Sequence, residues 1–303
     1  MSGGFELTFC GVRGSFPVPG GDTRRYGGNT ASLLLEAAGA PLVLDAGTGI
    51  IRAGRQLAAR GAHPIHVFLS HLHSDHIMGL PFFAPLFDPR QEVVLHYPED
   101  GGSRSRRALE ALFVPPYSPI TLRGIRARLR FAPLRAAAGA VALGNGVEVA
   151  YRRHDSHPCL GVLLYRVARG GRSLVYATDV ESPRVFDAGT RAFVAGVDLL
   201  VHDSQYFEND YVGAPRAAAG KTGRPARQGT ASRWPAGARR GFGHSTMTMA
   251  ARNAAACGVG RLYLFHYDPR YSDAMLEEMV RLARREFPRS YLAREGKSVH
   301  IRR

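Results

Sequence analysis

Residues 70–76, Ser-His-Leu-His-Ser-Asp-His, follow directly on the apolar residues Val67, Phe68 and Leu69. Three imidazoles and a carboxylate within six positions leave a chain few options. A solvated surface run needs no buried strand ahead of it, and a core strand would strand four polar side chains. At the end of a buried strand the same four groups can converge on a cation. His71 and His73 are two apart and share a face while the chain is extended; Asp75 and His76 follow as it turns. Imidazole and carboxylate without thiolate suit catalytic zinc, with manganese or iron as alternatives. One cation would not need four ligands from six residues and others from elsewhere. The pattern His-x-His-x-Asp-His therefore points to two divalent metal ions, with further ligands at the ends of other strands.

Short apolar runs bounded by Gly, Pro and Asp recur along the chain. They predict strands over 5–10, 32–36, 41–44, 66–69, 93–97, 147–151, 161–167, 173–177, 198–201 and 261–265. Helices are expected over 50–60, 105–113, 244–257 and 272–287. The last has Ser272 as N-cap and Met275, Leu276, Met279, Val280, Leu282 and Ala283 on one face. Strands and helices are mixed in both halves, so the class is α/β or α+β. Three polar residues stand at the thresholds of apolar strands, where side chains converge: His157 before 161–167, Asp179 after 173–177, and His266 after 261–265. His154, three residues ahead of His157, is the alternative at that place. His63, His66, His96 and His300 lack such a setting and read as ordinary histidines.

Composition narrows the partners. The 303 residues are 45% hydrophobic and 21% charged. No apolar run approaches the roughly 20 residues of a membrane span, and the N-terminus lacks the pattern of a signal peptide. Cys10, Cys159 and Cys257 are far apart and odd in number, which suits a reducing cytoplasm better than a disulfide framework. The net charge of +15 favours anionic partners, although an Arg- and Ala-rich composition also produces it. Residues 212–240 contain seven basic and no acidic side chains among many Gly, Ala and Pro. They are expected to form a mobile basic insertion on a single domain spanning 1–303.

Read together, these motifs resemble the metallo-β-lactamase fold superfamily. Within it the chain is similar to the phosphodiesterase branch of ribonuclease Z and the cyclic nucleotide phosphodiesterases. The resemblance is carried by the His71 to His76 motif and, in order, by GVRGSFPVPG at 11–20, RYGGNTAS at 25–32, LDAGTGI at 44–50, YATDVE at 176–181, LLVHDSQY at 199–206, GFGHST at 241–246 and LFHYDP at 264–269. It implies a four-layer αββα sandwich. It also implies that His71, His73 and His157 hold one metal, that Asp75, His76 and His266 hold the other, and that Asp179 bridges them.

The nucleophile would be a hydroxide shared by the metals. The resemblance further implies that His244 is a general acid oriented by Asp203, with Asp75 both a ligand and a member of the catalytic set; His202 reads as structural. The expected substrate is a small anionic phosphodiester or nucleotide, such as a cyclic mononucleotide. The alternative is an endoribonuclease of the tRNA 3′-processing type, and an acyl hydrolase is a weaker one. Ribonuclease Z usually carries a basic arm before the third ligand motif, whereas here 98–156 hold none and the basic segment lies at 212–240. A homodimer remains open. Gly27, Gly28, Asn29 and Thr30 suggest a tight loop near the site. Arg13 is expected either to neutralise a phosphate or to form an ion pair. DAGTGIIRAG lacks the glycine spacing of a dinucleotide site, which fails at Arg52.

Overall fold

The computed structural model describes residues 5–37, 39–59, 64–99, 102–116, 118–157, 161–214 and 237–302. The first sheet contains β1 (Phe5–Gly11), β2 (Ser32–Ala37), β3 (Ala40–Leu44), β4 (Pro64–Phe68), β5 (Glu92–Pro98), β6 (Arg128–Leu134) and β14 (Ser298–His300). Its order is β14-β1-β2-β3-β4-β5-β6. The second contains β7 (Ala138–Gly144), β8 (Val147–His154), β9 (Val162–Arg169), β10 (Arg172–Ala177), β11 (Leu199–Asp203), β12 (Leu262–Phe265) and β13 (Ser290–Leu292). Its order is β13-β12-β11-β10-β9-β8-β7.

Both sheets follow one scheme. Counting the first sheet from β14 and the second from β7, neighbours pair antiparallel up to the fourth strand, β3 in the first sheet and β10 in the second. Beyond it they pair parallel. Parallel strands place their C-terminal ends on one edge, where ligand-binding connections gather in open sheets of this kind.

The inner faces of the sheets share one core, in which Phe9, Phe68, Tyr165, Tyr176 and Phe265 are fully buried. Helix α1 (Ile50–Ala58) packs on β1, β2 and β3, and with α3 (Arg104–Ala111) it closes the outer face of the first sheet through Ile50, Ala53, Leu57 and Leu109. Helix α6 (Met247–Ala256) packs on β11 and β12, beside α7 (Asp273–Glu286). The layers are thus helix, sheet, sheet, helix. Short helices α2 (Ser74–Ile77), α4 (Ala188–Val194) and α5 (Glu208–Val212) fill connections. Among the described residues no helix is long and apolar enough to cross a membrane. Cys10 and Cys257 are buried free thiols, and Cys159 lies outside the described residues.

Several elements differ from the sequence reading. Strands β6, β7, β13 and β14 were not anticipated, and all four are sheet edges. β13 and β14 are three residues long and β7 is largely exposed, whereas half-buried β6 carries only the short alternation Arg128-Leu129-Arg130-Phe131 before Pro133. Helix α6 starts three residues later than the pattern suggests, because the Thr246 side chain caps it by accepting from Met249 N. Among the described residues Arg13 forms no ion pair. It is fully buried, and its guanidinium donates to the carbonyls of Gly27, Asp268 and Tyr271, bracing the N-terminal loop against the loop after β12. The greater part of the basic insertion, residues 215–236, lies outside the described residues, as does His63. The ends of the insertion run side by side, with Arg239 N donating to Tyr211 O at 2.9 Å.

Candidate metal centre

The connections at the C-terminal edge of both sheets bring the expected residues together. His71 and His73 leave β4 in an extended segment, and Asp75 and His76 lie on α2 just beyond. Asp179 follows β10, His157 lies between β8 and β9, and His266 follows β12 directly. His71, His73, His157 and Asp179 offer ligand atoms within 4.8 Å of one another. So do Asp75, His76 and His266.

Asp179 stands between these groups. Its Oδ1 is 3.7 Å from His71 Nε2 and 3.9 Å from His157 Nε2. Its Oδ2 is 3.1 Å from His76 Nε2 and 3.4 Å from His266 Nε2. Asp75 Oδ2 is 3.1 Å from His266 Nε2. His154 is elsewhere: it bonds Ser156 Oγ and packs against Phe186.

Backbone geometry serves this convergence. Asp45, Asp179 and His266 all adopt left-handed φ, at 61°, 53° and 63°. Such conformations cost on the order of 1–3 kcal/mol each and persist where the surroundings enforce them. Two glycines allow loops to close in. A Cβ on Gly14 would lie 2.5 Å from the His266 ring, and one on Gly47 would lie 2.2 Å from Asp75 O.

The imidazoles are oriented from behind. His76 Nδ1 donates to Asp45 Oδ2 at 2.7 Å, and His266 Nδ1 to Gln205 Oε1 at 3.0 Å. His157 Nδ1 donates to Gly243 O at 3.3 Å. His71 Nδ1 donates to Ser70 Oγ at 3.0 Å, whose own proton goes to Asp45. Each bond fixes the tautomer that leaves Nε2 with its lone pair inward, as metal-bound histidines require. Sequence reasoning missed Asp45, Ser70 and Gln205 as orienting groups, although all three lie inside or beside the quoted motifs.

The donor set fits divalent cations. His71 Nε2 is buried with no hydrogen-bond partner. His76 Nε2 and His266 Nε2 approach to 3.0 Å. Burial pushes the His71 imidazole well down, and the neighbouring His76 adds to this; a neutral imidazole is the ligand form. Burial likewise lowers His157, to about 4. For His76, burial opposes ionisation, but Asp179, Asp75 and Asp45 outweigh it and hold its pKa well up. The carboxylates thus call for positive charge at this point, and a divalent cation supplies more of it than a proton. Metal analysis of protein purified without chelators is expected to give about two ions per chain, with two-metal sites as the reference class. A value near zero in active protein would contradict this.

A second constellation adjoins the first. His244 Nδ1 donates to Asp203 Oδ2 at 2.8 Å, and its ring stacks on His266 with centroids 5.1 Å apart. Asp203 is fully buried and also accepts from Asp179 N, Gln205 N and Ser245 N. Burial alone would lower His244. The charge and hydrogen bond of Asp203, supported by Asp179 and Asp75, instead raise its pKa to about 9. His202 donates to Asp203 O, approaches Asn253 and stacks on Phe186, away from the metal cluster. A cleft of about 440 Å³ opens alongside, lined by Ser15, Phe16, Gln205, Tyr206, Arg239 and Phe242 among others. Ser15 N donates to Asp75 Oδ2 at 2.7 Å, so the cleft wall is continuous with the metal-facing groups.

Comparison with known proteins agrees with this architecture. Residues 41–267 match the family model described as a beta-lactamase superfamily domain. The chain is 28% identical over 343 aligned positions to ribonuclease Z of Bradyrhizobium diazoefficiens, covering 95% of this chain and 97% of that protein. The structure of the human tRNase Z short form aligns with a TM-score of 0.62 at 19% identity, covering 98% of this chain and all of the other. Zinc-bound PqqB from Methylobacterium extorquens aligns with a TM-score of 0.66 at 17% identity, covering 97% and 99%. The chain belongs to the metallo-β-lactamase superfamily and is a metal-dependent hydrolase. Within that superfamily it falls in the branch of ribonuclease Z and related phosphodiesterases.

Proposed function

We propose that this protein is a two-metal phosphodiesterase that cleaves RNA, in the manner of ribonuclease Z. The observation that supports this most is Asp179, whose two oxygens face two separate sets of imidazoles beside the His244–Asp203 pair. In this reading His71, His73 and His157 hold one cation, Asp75, His76 and His266 the other, and Asp179 both. Zinc suits the donor set best. When bound, the cations supply a nucleophile from water and neutralise phosphate oxygens. The chain's own residues do the rest. Asp203 fixes the His244 tautomer and favours its protonated form, so that His244 holds a proton for the leaving oxygen. Relatives of nearly equal length named ribonuclease Z favour RNA over a cyclic mononucleotide. The chain's net charge of +15 suits a polyanion.

A second reading, a small nucleotide, draws on the aromatic cleft of about 440 Å³, which is of nucleotide size. The test is hydrolysis of a precursor RNA with a 3′ trailer, a cyclic mononucleotide and a lactone, each with zinc or manganese. Cleavage of the RNA at a defined position is expected to dominate. Turnover of the cyclic nucleotide alone would shift the function to the second reading. Turnover of the lactone alone would overturn both.

A further inference from the structure

Glu181, two residues beyond Asp179, is buried and ties together three connections. Its Oε1 accepts from Tyr211 Oη at 2.6 Å and from Gly241 N at 2.7 Å, and its Oε2 accepts from Gly243 N at 2.9 Å. Its own N–H donates to Ser156 Oγ at 2.9 Å. The turn over residues 241–243 precedes His244, and Gly243 supplies the carbonyl that orients His157. Ser156 is the residue before His157. The two segments carrying His157 and His244 therefore both hang on Glu181. Among the described residues, nothing comparable links Glu181 to the other half of the centre. His76 is oriented by Asp45 and His266 by Gln205, neither of which bonds Glu181.

We infer that Glu181 is a positioning residue that governs one half of the centre: the cation held by His71, His73 and His157, and with it the placement of His244. This rests on the proposed two-metal function. The carboxylate suits the task because it can accept from all three donors at once. A glutamine there keeps one acceptor and turns an N–H group toward a backbone N–H. Removing a group that orients a metal ligand typically lowers metal affinity or activity about 10–100-fold.

The experiment is metal titration of Glu181→Gln, followed by kinetics of the fully loaded protein. One metal equivalent should weaken about 10–100-fold, with the other unchanged. Turnover should fall with KM little altered, and fall further for an alkoxide leaving group than for a nitrophenolate. In the double variant with His157→Ala, metal affinity should be no worse than with His157→Ala alone. Tyr211→Phe leaves both backbone donors held and should match the wild type in metal affinity and leaving-group dependence.

If Glu181→Gln does not fold, Gly243→Ala carries the test. Gly243 has a φ of 87°, which disfavours any side chain, so that variant disturbs the same turn while leaving Glu181 in place. It should show the same one-sided loss. Equal weakening of both equivalents, no weakening, or a turnover loss indifferent to the leaving group would overturn the inference. A wild-type chain that binds no metal would instead overturn the functional reading, and this inference with it.

Discussion

Asp179→Ala is expected to abolish hydrolysis and to weaken both metals together. The carboxylate is buried, with one oxygen toward His71 and His157 and the other toward His76 and His266. Burial would raise its pKa. The surrounding imidazoles of His266, His76 and His71 hold it well down instead, so it is ionised. In the proposed two-metal arrangement, alanine removes the group shared by both ligand sets. The loss should exceed the roughly 10–100-fold that an orienting partner contributes, because here a direct ligand is lost twice. Titration with zinc, monitored by dialysis and elemental analysis, should show both equivalents weakened. Retention of two tightly held metals with full turnover would exclude the bridging role.

The second large effect is expected at His244. Nucleophile and leaving oxygen lie on opposite sides of the phosphorus in an in-line displacement. In the proposed arrangement cations held by the two ligand sets would serve the first, and a proton must reach the second. His244 stands beside the cluster and is held by Asp203, whose charge and hydrogen bond raise its pKa to about 9 against the effect of burial. Dications held by the neighbouring ligand sets would lower that pKa, and Asp203 would oppose the change. His244→Ala should keep both metals and lose about 10²–10⁴-fold in turnover, the usual worth of general acid catalysis. A nitrophenolate leaving group needs no proton, and with it the loss should shrink. Asp203→Asn should show a smaller defect of the same kind, since the imidazole remains. Equal losses on both substrates would assign His244 to phosphate binding, and loss of metal would place it among the ligands.

How much of this was legible in the sequence depends on how local each feature is. The His71 to His76 motif stands out because its ligands share one turn of chain behind a buried strand. Asp179 and His266 stand out because each closes an apolar run. His157 and His154 were harder to separate. Strand β8 continues to His154, which pairs with Val162, so His154 belongs to the sheet, and only the following turn reaches the centre. The sequence pattern marked that strand only to Tyr151. Asp203 and His244 are 41 residues apart, and no periodicity reveals that they meet. The family resemblance pointed to that pair. Asp45 reads as a turn residue in LDAGTG. Its use depends on the parallel register of β3 and β4, in which Leu44 pairs with Phe68. The edge strands escaped notice for a different reason: β7 is largely exposed, and the brief alternation of Leu129 and Phe131 with arginines in β6 is cut short by Pro133.

The common scheme of the two sheets has a consequence for how the centre depends on the fold. Asp45 and Asp179 occupy corresponding places, each just beyond the fourth strand of its sheet and each in the left-handed conformation. They grip opposite nitrogens of one imidazole: Asp45 holds His76 Nδ1 at 2.7 Å, and Asp179 Oδ2 lies 3.1 Å from Nε2. Tyr176 on β10 also reaches across to Asp45 at 2.7 Å. The centre is therefore a gauge of alignment between the two halves. A sideways slip of one sheet against the other would misalign the carboxylates around that ring. Substitutions deep between the sheets, far from any phosphate, can accordingly read out as altered metal occupancy before they read out as unfolding.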